Sequence, residues 1–222
     1  VCVQESIADE FIALFKKKAM ELKLGPAYEA GSQLGPLVSA AQKQSVENWI
    51  QRGVDEGANL VLDGRGAKVA GFENGYFVGP TIFDNVLPEH SVGNDEIFGP
   101  VTCIKRVKDF EEGLAIMNGN RFANGSCIYT SSGRYAREFA REASSIYLQK
   151  LGSPAKAIPA LETALALDPT DRDLRTALAI GQRVAGKLPE ARVSLEKGLA
   201  IAQEIGAKQT EAEICGRSEE RR

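Results

Sequence analysis

Apolar positions in the first 142 residues switch repeatedly between two periods, which predicts alternating strands and helices. Val1 to Val3 reads as the end of a strand. Ser6, with Asp9 three residues on, opens a helix in capping-box style, and Ile7, Phe11, Leu14, Phe15 and Leu22 recur at helical spacing. Lys16 to Lys18 lie near its C-terminal half, where the helix dipole favours cations. Ser39 with Gln42 opens a second helix with the stripe Val46, Trp49, Ile50 and Val54, and Gly57 is placed to stop it. Asn59 to Leu62 reads as a short strand. Glycines crowd 63–80 and predict turns or a hairpin, with Tyr76 to Val78 and Thr81 to Phe83 extended. Pro100 to Val107 alternates as a strand. Asp109 caps a short helix bearing Phe110, Leu114 and Met117; Ser126 to Thr130 reads as a strand and Tyr135 to Glu142 as a helix. Strands alternating with helices predict an α/β layered fold with a mostly parallel sheet.

After Ala143 the pattern turns all-helical. Glycine thins out, and Ala, Leu, Glu, Lys and Arg take over. Gly152, Ala157, Leu161, Glu162, Leu165 and Ala166 recur as Gly186, Ala191, Leu195, Glu196, Leu199 and Ala200, each pair 34 residues apart. That is the period of the tetratricopeptide repeat, which this half resembles. Pro169 fits the turn closing the first unit, where the second has Gln203. The alanines let paired helices approach closely, and Leu161 and Leu195 are expected to fill the groove between them. A possible third unit starts after Lys208. About three such units are normally needed to bury the shared apolar face, so the array is marginal unless it packs on something else. The division expected is therefore 1–142, α/β, and 143–222, helical hairpins.

Composition narrows the function classes. At 43% hydrophobic the chain can bury a real core. A net charge of -3 disfavours nucleic acid and anionic membranes as partners. No apolar run approaches the roughly 18 residues of a membrane span. The opening Val-Cys-Val-Gln-Glu lacks a basic leader and a starting Met, which predicts that the chain begins inside a domain. Cys2, Cys103, Cys127 and Cys215 form no C-x-x-C pair, and His90 is the sole histidine, so no metal site is expected. Cys103 and Cys127 stand in strand-like runs as small hydrophobes, and a reducing, cytoplasmic compartment fits. His90 reads as a solvated loop residue, Asp168 to Asp173 as a solvent-facing helix turn, and Asn124-Gly-Ser126 as a short glycosylation pattern without a secretory signal to support it.

The sharpest local signal is Glu96-Ile97-Phe98-Gly99-Pro100. Its residues admit two readings. One is a turn with a solvated Glu and a core Phe. The other is a carboxylate that holds a ribose diol beside an aromatic that lines a flat ring.

This segment, with Leu34-Gly-Pro-Leu37, Gly75-Tyr-Phe-Val-Gly-Pro-Thr81 and Phe122-Ala-Asn-Gly125 in order, resembles the aldehyde dehydrogenase family over nearly all of residues 1–142. Gly53 to Gly66 and Glu73-Asn-Gly75 are most similar to its methylmalonate-semialdehyde branch. The resemblance implies a partial catalytic domain of an NAD-dependent oxidoreductase, with Glu96 on the ribose hydroxyls and Phe98 beside the nicotinamide. It further implies that a cysteine thiolate attacks the aldehyde, that hydride moves to NAD leaving a thioester, and that coenzyme A accepts the acyl group with loss of carbon dioxide. The family nucleophile, general-base Glu, oxyanion Asn and dinucleotide domain fall upstream of Val1. Cys2 does not occupy the nucleophile's place, and Gly64-Arg-Gly66 is no dinucleotide fingerprint. No catalytic residue is therefore assigned, no turnover is expected from this chain alone, and a truncated or chimeric product is the expectation. Two alternatives stand beside the enzyme: a protein-interaction module built on the repeat helices, and a chain whose open sheet edges leave it unfolded.

Overall fold

The structure is a computed structural model that describes residues 1–120, 125–150 and 152–219. Its elements fall into two compact units, Val1–Ser126 and Cys127–Arg222.

In the first unit, β1 (Cys2–Gln4) runs into α1 (Glu5–Met20), then come α2 (Ala40–Asp55), β2 (Asn59–Leu62), β3 (Thr81–Asp84), β4 (Val101–Cys103), β5 (Lys105–Val107) and α3 (Phe110–Gly119). β2 pairs antiparallel with β3, β3 parallel with β4, and β1 parallel with β5. The run Pro100 to Val107 thus serves two ladders that meet at Ile104. Ile104 N–H donates to Phe83 O at 2.8 Å and Val86 N–H to Ile104 O, while Lys105 N–H turns the other way to Val1 O. Adjacent residues of a strand direct their polar groups to opposite edges, so β3 and β1 flank the same strand.

Pleating sorts the core into two faces. Phe83 faces α2 with Val46, Ile50, Val78, Val92 and Ile97. Its neighbour Ile82, with Ile104 and Val3, faces α1 through Ala8, Ile12 and Ala19. Helices on both faces explain why β3 is buried throughout, its end residues Thr81 and Asp84 included. Each fully buried Phe or Ile contributes roughly 1.5–3 kcal/mol.

Helix α2 forms as its residues predict. Ser39 Oγ accepts from Gln42 N–H, and Gly57, at φ 88°, closes a Schellman turn in which Ala58 N–H reaches Gly53 O and Gly57 N–H reaches Val54 O. Helix α1 departs from expectation. It starts at Glu5 after an uncapped Gln4, so Ser6 is not its cap. Its buried face is Ala8, Ile12 and Ala19, with Phe11 and Phe15 stacked beside it, while Ile7, Leu14 and Leu22 are exposed. Residues 76–78, expected to be extended, are assigned to no strand; Leu37 N–H donates to Tyr76 O at 2.9 Å. Residues 126–130 form no strand either, because no described strand lies alongside to satisfy them, and Cys127 and Tyr129 are exposed.

The second unit holds α4 (Gly133–Ser145), a wider π-type turn over Ile146–Lys150, α5 (Pro154–Leu167), α6 (Arg172–Val184) and α7 (Leu188–Glu219). Gly152 and Gly186 both take positive φ at the breaks before α5 and α7. Ile158, Leu161, Leu165, Leu174 and Leu178 form its core, with Ala140 of α4 packed against it. Asp171 caps α6 through Leu174 N–H and, with Asp168, pairs with Arg137. The Asp168 to Asp173 turn therefore ties α4 to α6 and is not simply solvated. Helix α7 runs unbroken past Lys208, so no third unit starts there. Leu195 is exposed, unlike its counterpart Leu161.

Candidate functional site

The loop from Asn85 to Pro100 is fixed at several points before it presents anything. The Glu56 carboxylate, at the end of α2, accepts from Ser91 N–H and Oγ, both at 2.7 Å; these hydrogen bonds, the hydroxyl's first, hold its pKa below the ordinary range. His90 is buried and its Nδ1 accepts from Leu87 N–H at 3.1 Å, correcting the expectation of a solvated side chain. Asn94 donates to Pro88 O and accepts from Lys105 Nζ. A short turn at Ser91–Gly93 seats Val92 in the α2-side core.

The Glu96 to Pro100 segment follows. Ile97 plugs into that core, so its two neighbours must face outward. Glu96 is exposed, and its carboxylate makes no hydrogen bond or ion pair among the described residues. Phe98 is 74% exposed and sits at φ 52°, a left-handed conformation that a bulky side chain rarely adopts. A core role for Phe98 is thereby excluded. Two contacts hold it there. Gln42 Nε2 donates to Phe98 O at 3.0 Å and, more weakly, to Ile97 O at 3.4 Å. Gly99 packs so tightly on Val46 that a Cβ there would lie 2.6 Å from a Val46 methyl. Backbone strain maintained by surrounding contacts is a mark of binding sites.

Gln42 was placed by its sequence context in a helix cap. Its N–H does meet Ser39, but the side chain reaches 55 residues along the chain instead. No local pattern carries that contact.

The described cysteines do not surround this loop as an activated thiol would. Cys2 lies against Gly113 of α3. Cys103 donates to Val92 O, and burial pushes its thiol up to about 11. Cys215, Phe122 and Asn124 lie outside the residues whose side chains are described. No group of three or more His, Cys, Asp or Glu residues among the described residues could hold a metal ion, and no described helix is long and apolar enough to cross a membrane. An open depression of about 240 Å³ lies elsewhere, lined by Ala19, Leu62, Gly64, Arg65 and Gly79.

The profile of the aldehyde dehydrogenase family matches residues 1–148. The chain belongs to that family. Malonate-semialdehyde dehydrogenase of Pseudomonas aeruginosa is 45% identical over 142 residues, covering 64% of this chain and 29% of the relative. Malonate-semialdehyde dehydrogenase 2 of Oceanobacillus iheyensis is 48% identical over 139 residues, covering 63% and 28%. Among solved structures, methylmalonate-semialdehyde dehydrogenase from Oceanimonas doudoroffii superposes with a TM-score of 0.60 at 34% identity, over 63% of this chain and 29% of that one. An aldehyde dehydrogenase of Mycobacterium tuberculosis complexed with NAD+ gives 0.55 at 33% identity, over 59% and 27%. The chain thus spans less than a third of the length of these aldehyde dehydrogenases.

Proposed function

We propose that the first unit supplies part of the nicotinamide wall of an NAD-dependent aldehyde dehydrogenase acting on malonate or methylmalonate semialdehyde with coenzyme A. The observation that carries this is the Glu96 to Gly99 loop. A carboxylate unpaired among the described residues and an exposed ring flank one buried anchor, a fit for the hydroxyls of a ribose and the face of its base. The names of the relatives support the semialdehyde branch. NAD would supply the hydride acceptor. Glu96 would accept hydrogen bonds from the ribose, Phe98 would position the ring, and Gln42 would keep Phe98 in place. The neutral, half-buried Cys103 is unsuited to attack an aldehyde, so the reacting thiol is assigned to a part of the enzyme beyond the matched stretch. Free thiols at Cys2, Cys103 and Cys127 fit a cytoplasmic setting.

Two measurements test this. Amide NMR during NAD titration should move Glu96 to Gly99 in the wild type and not in Glu96→Gln with Phe98→Ala. No movement at saturating NAD would end the assignment. Incubation of the chain alone with malonate semialdehyde, NAD and coenzyme A should yield no NADH; turnover would mean that one of its own cysteines reacts.

A second reading is favoured by the helical unit. The 34-residue spacing of Gly152 and Gly186, both left-handed, and of buried Ala157 and Ala191 supports tetratricopeptide-like hairpins that bind a protein. On this reading the chain is a chimera of two families joined through α4.

A further inference from the structure

The helical unit covers one of two equivalent faces. On α5, Leu161 and Leu165 are 0% and 8% exposed because α6 lies on them with Leu174 and Leu178. Thirty-four residues on, Leu195 and Leu199 of α7 are 54% and 60% exposed. Leu188, one helical heptad before Leu195, is 62% exposed and extends the same stripe.

The flanking face of α7 is already used. Ala191 and Ser194 are buried, and Ser194 Oγ donates to Gln182 Oε1 of α6 at 2.9 Å. Helix α7 is therefore oriented on α6, and its leucine stripe is the next surface in the succession α5, α6, α7. The stripes of α5 and α7 differ at two positions, the first being Leu188 where α5 has Pro154. Where α5 has the buried Ile158, α7 has the exposed Arg192, which pairs with Glu196 at 2.8 Å.

We propose that the Leu188–Leu195–Leu199 face of α7 is a docking site for one amphipathic helix of another polypeptide. That helix would carry leucines at i and i+4, as α6 does at Leu174 and Leu178. The chain's own internal repetition identifies the occupant: Leu161 and Leu165, the counterparts of Leu195 and Leu199 one repeat earlier, are covered by a helix of this kind. A second copy cannot supply it from α6, whose leucines are already buried on α5. Covering such leucines removes apolar surface from water, the driving force of helix-in-groove recognition. This inference rests on the binding-module reading and narrows it to one face.

The probe is a synthetic peptide with the α6 sequence, residues 168–187, titrated into the full chain by calorimetry. Saturable binding is expected, reduced at least about tenfold by Leu195→Glu with Leu199→Glu. It is abolished when the peptide carries Leu174→Asp with Leu178→Asp. Both chain substitutions lie on exposed positions, so the thermal unfolding curve should not move. Binding that ignores them would mean that the peptide displaces α6 from its own site, and the proposal would fall. It would fall equally if light scattering showed a dimer that Leu195→Glu dissociates, because the occupant would then be a second copy. A chain that captures proteins by another surface yet ignores the peptide keeps the module reading and loses this one.

Discussion

Phe98 offers a test in which the ordinary ranking of two residues should reverse. At most positions glycine is less stabilising than alanine by about 0.5–1 kcal/mol, because it has more freedom to lose on folding. Phe98 is held at φ 52°, where any Cβ meets the backbone, at a cost of about 1–2 kcal/mol. Phe98→Ala and Phe98→Gly discard the same ring and the same partial burial, so these losses cancel between the two variants. The left-handed cost then opposes glycine's greater loss of freedom and outweighs it, so glycine should be the more stable by up to about 1 kcal/mol. The sole tryptophan, Trp49, packs on the α2-side core of the same unit and reports its unfolding. With a urea slope of about 2 kcal/mol/M, the glycine variant's midpoint should lie up to about 0.5 M above the alanine variant's. An alanine variant equal to or more stable than glycine would refute the claim that this loop stores strain. Neither variant should retain the NAD-dependent amide shifts, so stability and ligand recognition separate in one pair of proteins.

Arg106 grips the buried Asp84 with two hydrogen bonds, at 3.1 and 2.9 Å, and also reaches the exposed Glu5 and Asp9. Arg106→Met should cost about 3–5 kcal/mol by stranding Asp84, whereas Glu5→Gln and Asp9→Asn should each cost under about 1 kcal/mol. Equal losses in the Trp49 titration would show that the burial of Asp84 is not what matters. Cys103 has its folded pKa raised from 9.0 to about 11 by burial, so the neutral thiol is the favoured form. Its contribution is complete below about pH 9 and is lost as pH climbs toward 11, by up to about 2 kcal/mol. Comparing wild type with Cys103→Ala at pH 8 and 10.5 should show the smaller alkaline decline in the variant.

Much of this was legible from residue pattern, and the failures have physical causes. Helix α2 and strand β2 were readable because Ser39, Val46, Ile50 and Gly57 each act within one or two turns. The face of α1 was misread because two of its buried positions, Ala8 and Ala19, are small and weak as hydrophobic signals, while the larger Ile7 and Leu14 point to solvent. Ser126 to Thr130 has the composition of a strand, but a strand exists only with a neighbour to share its hydrogen bonds. At the site, Glu96 and Phe98 were marked by their motif. The positive φ of Phe98 and the reach of Gln42 were not, since both arise from contacts far apart in the chain.

Helix α4 answers to two masters. By kinship it lies inside the stretch 1–148, yet by contact it lies beyond Ser126, where Ala140, Arg137 and Arg141 meet α5 and α6. Dissecting the polypeptide at residue 148 would therefore tear a seam: one fragment would carry a bare helix, and the other would lose its outer wall. A cut after Ser126 keeps α4 with the helices it packs on, so ancestry is a poor guide to which residues hold together.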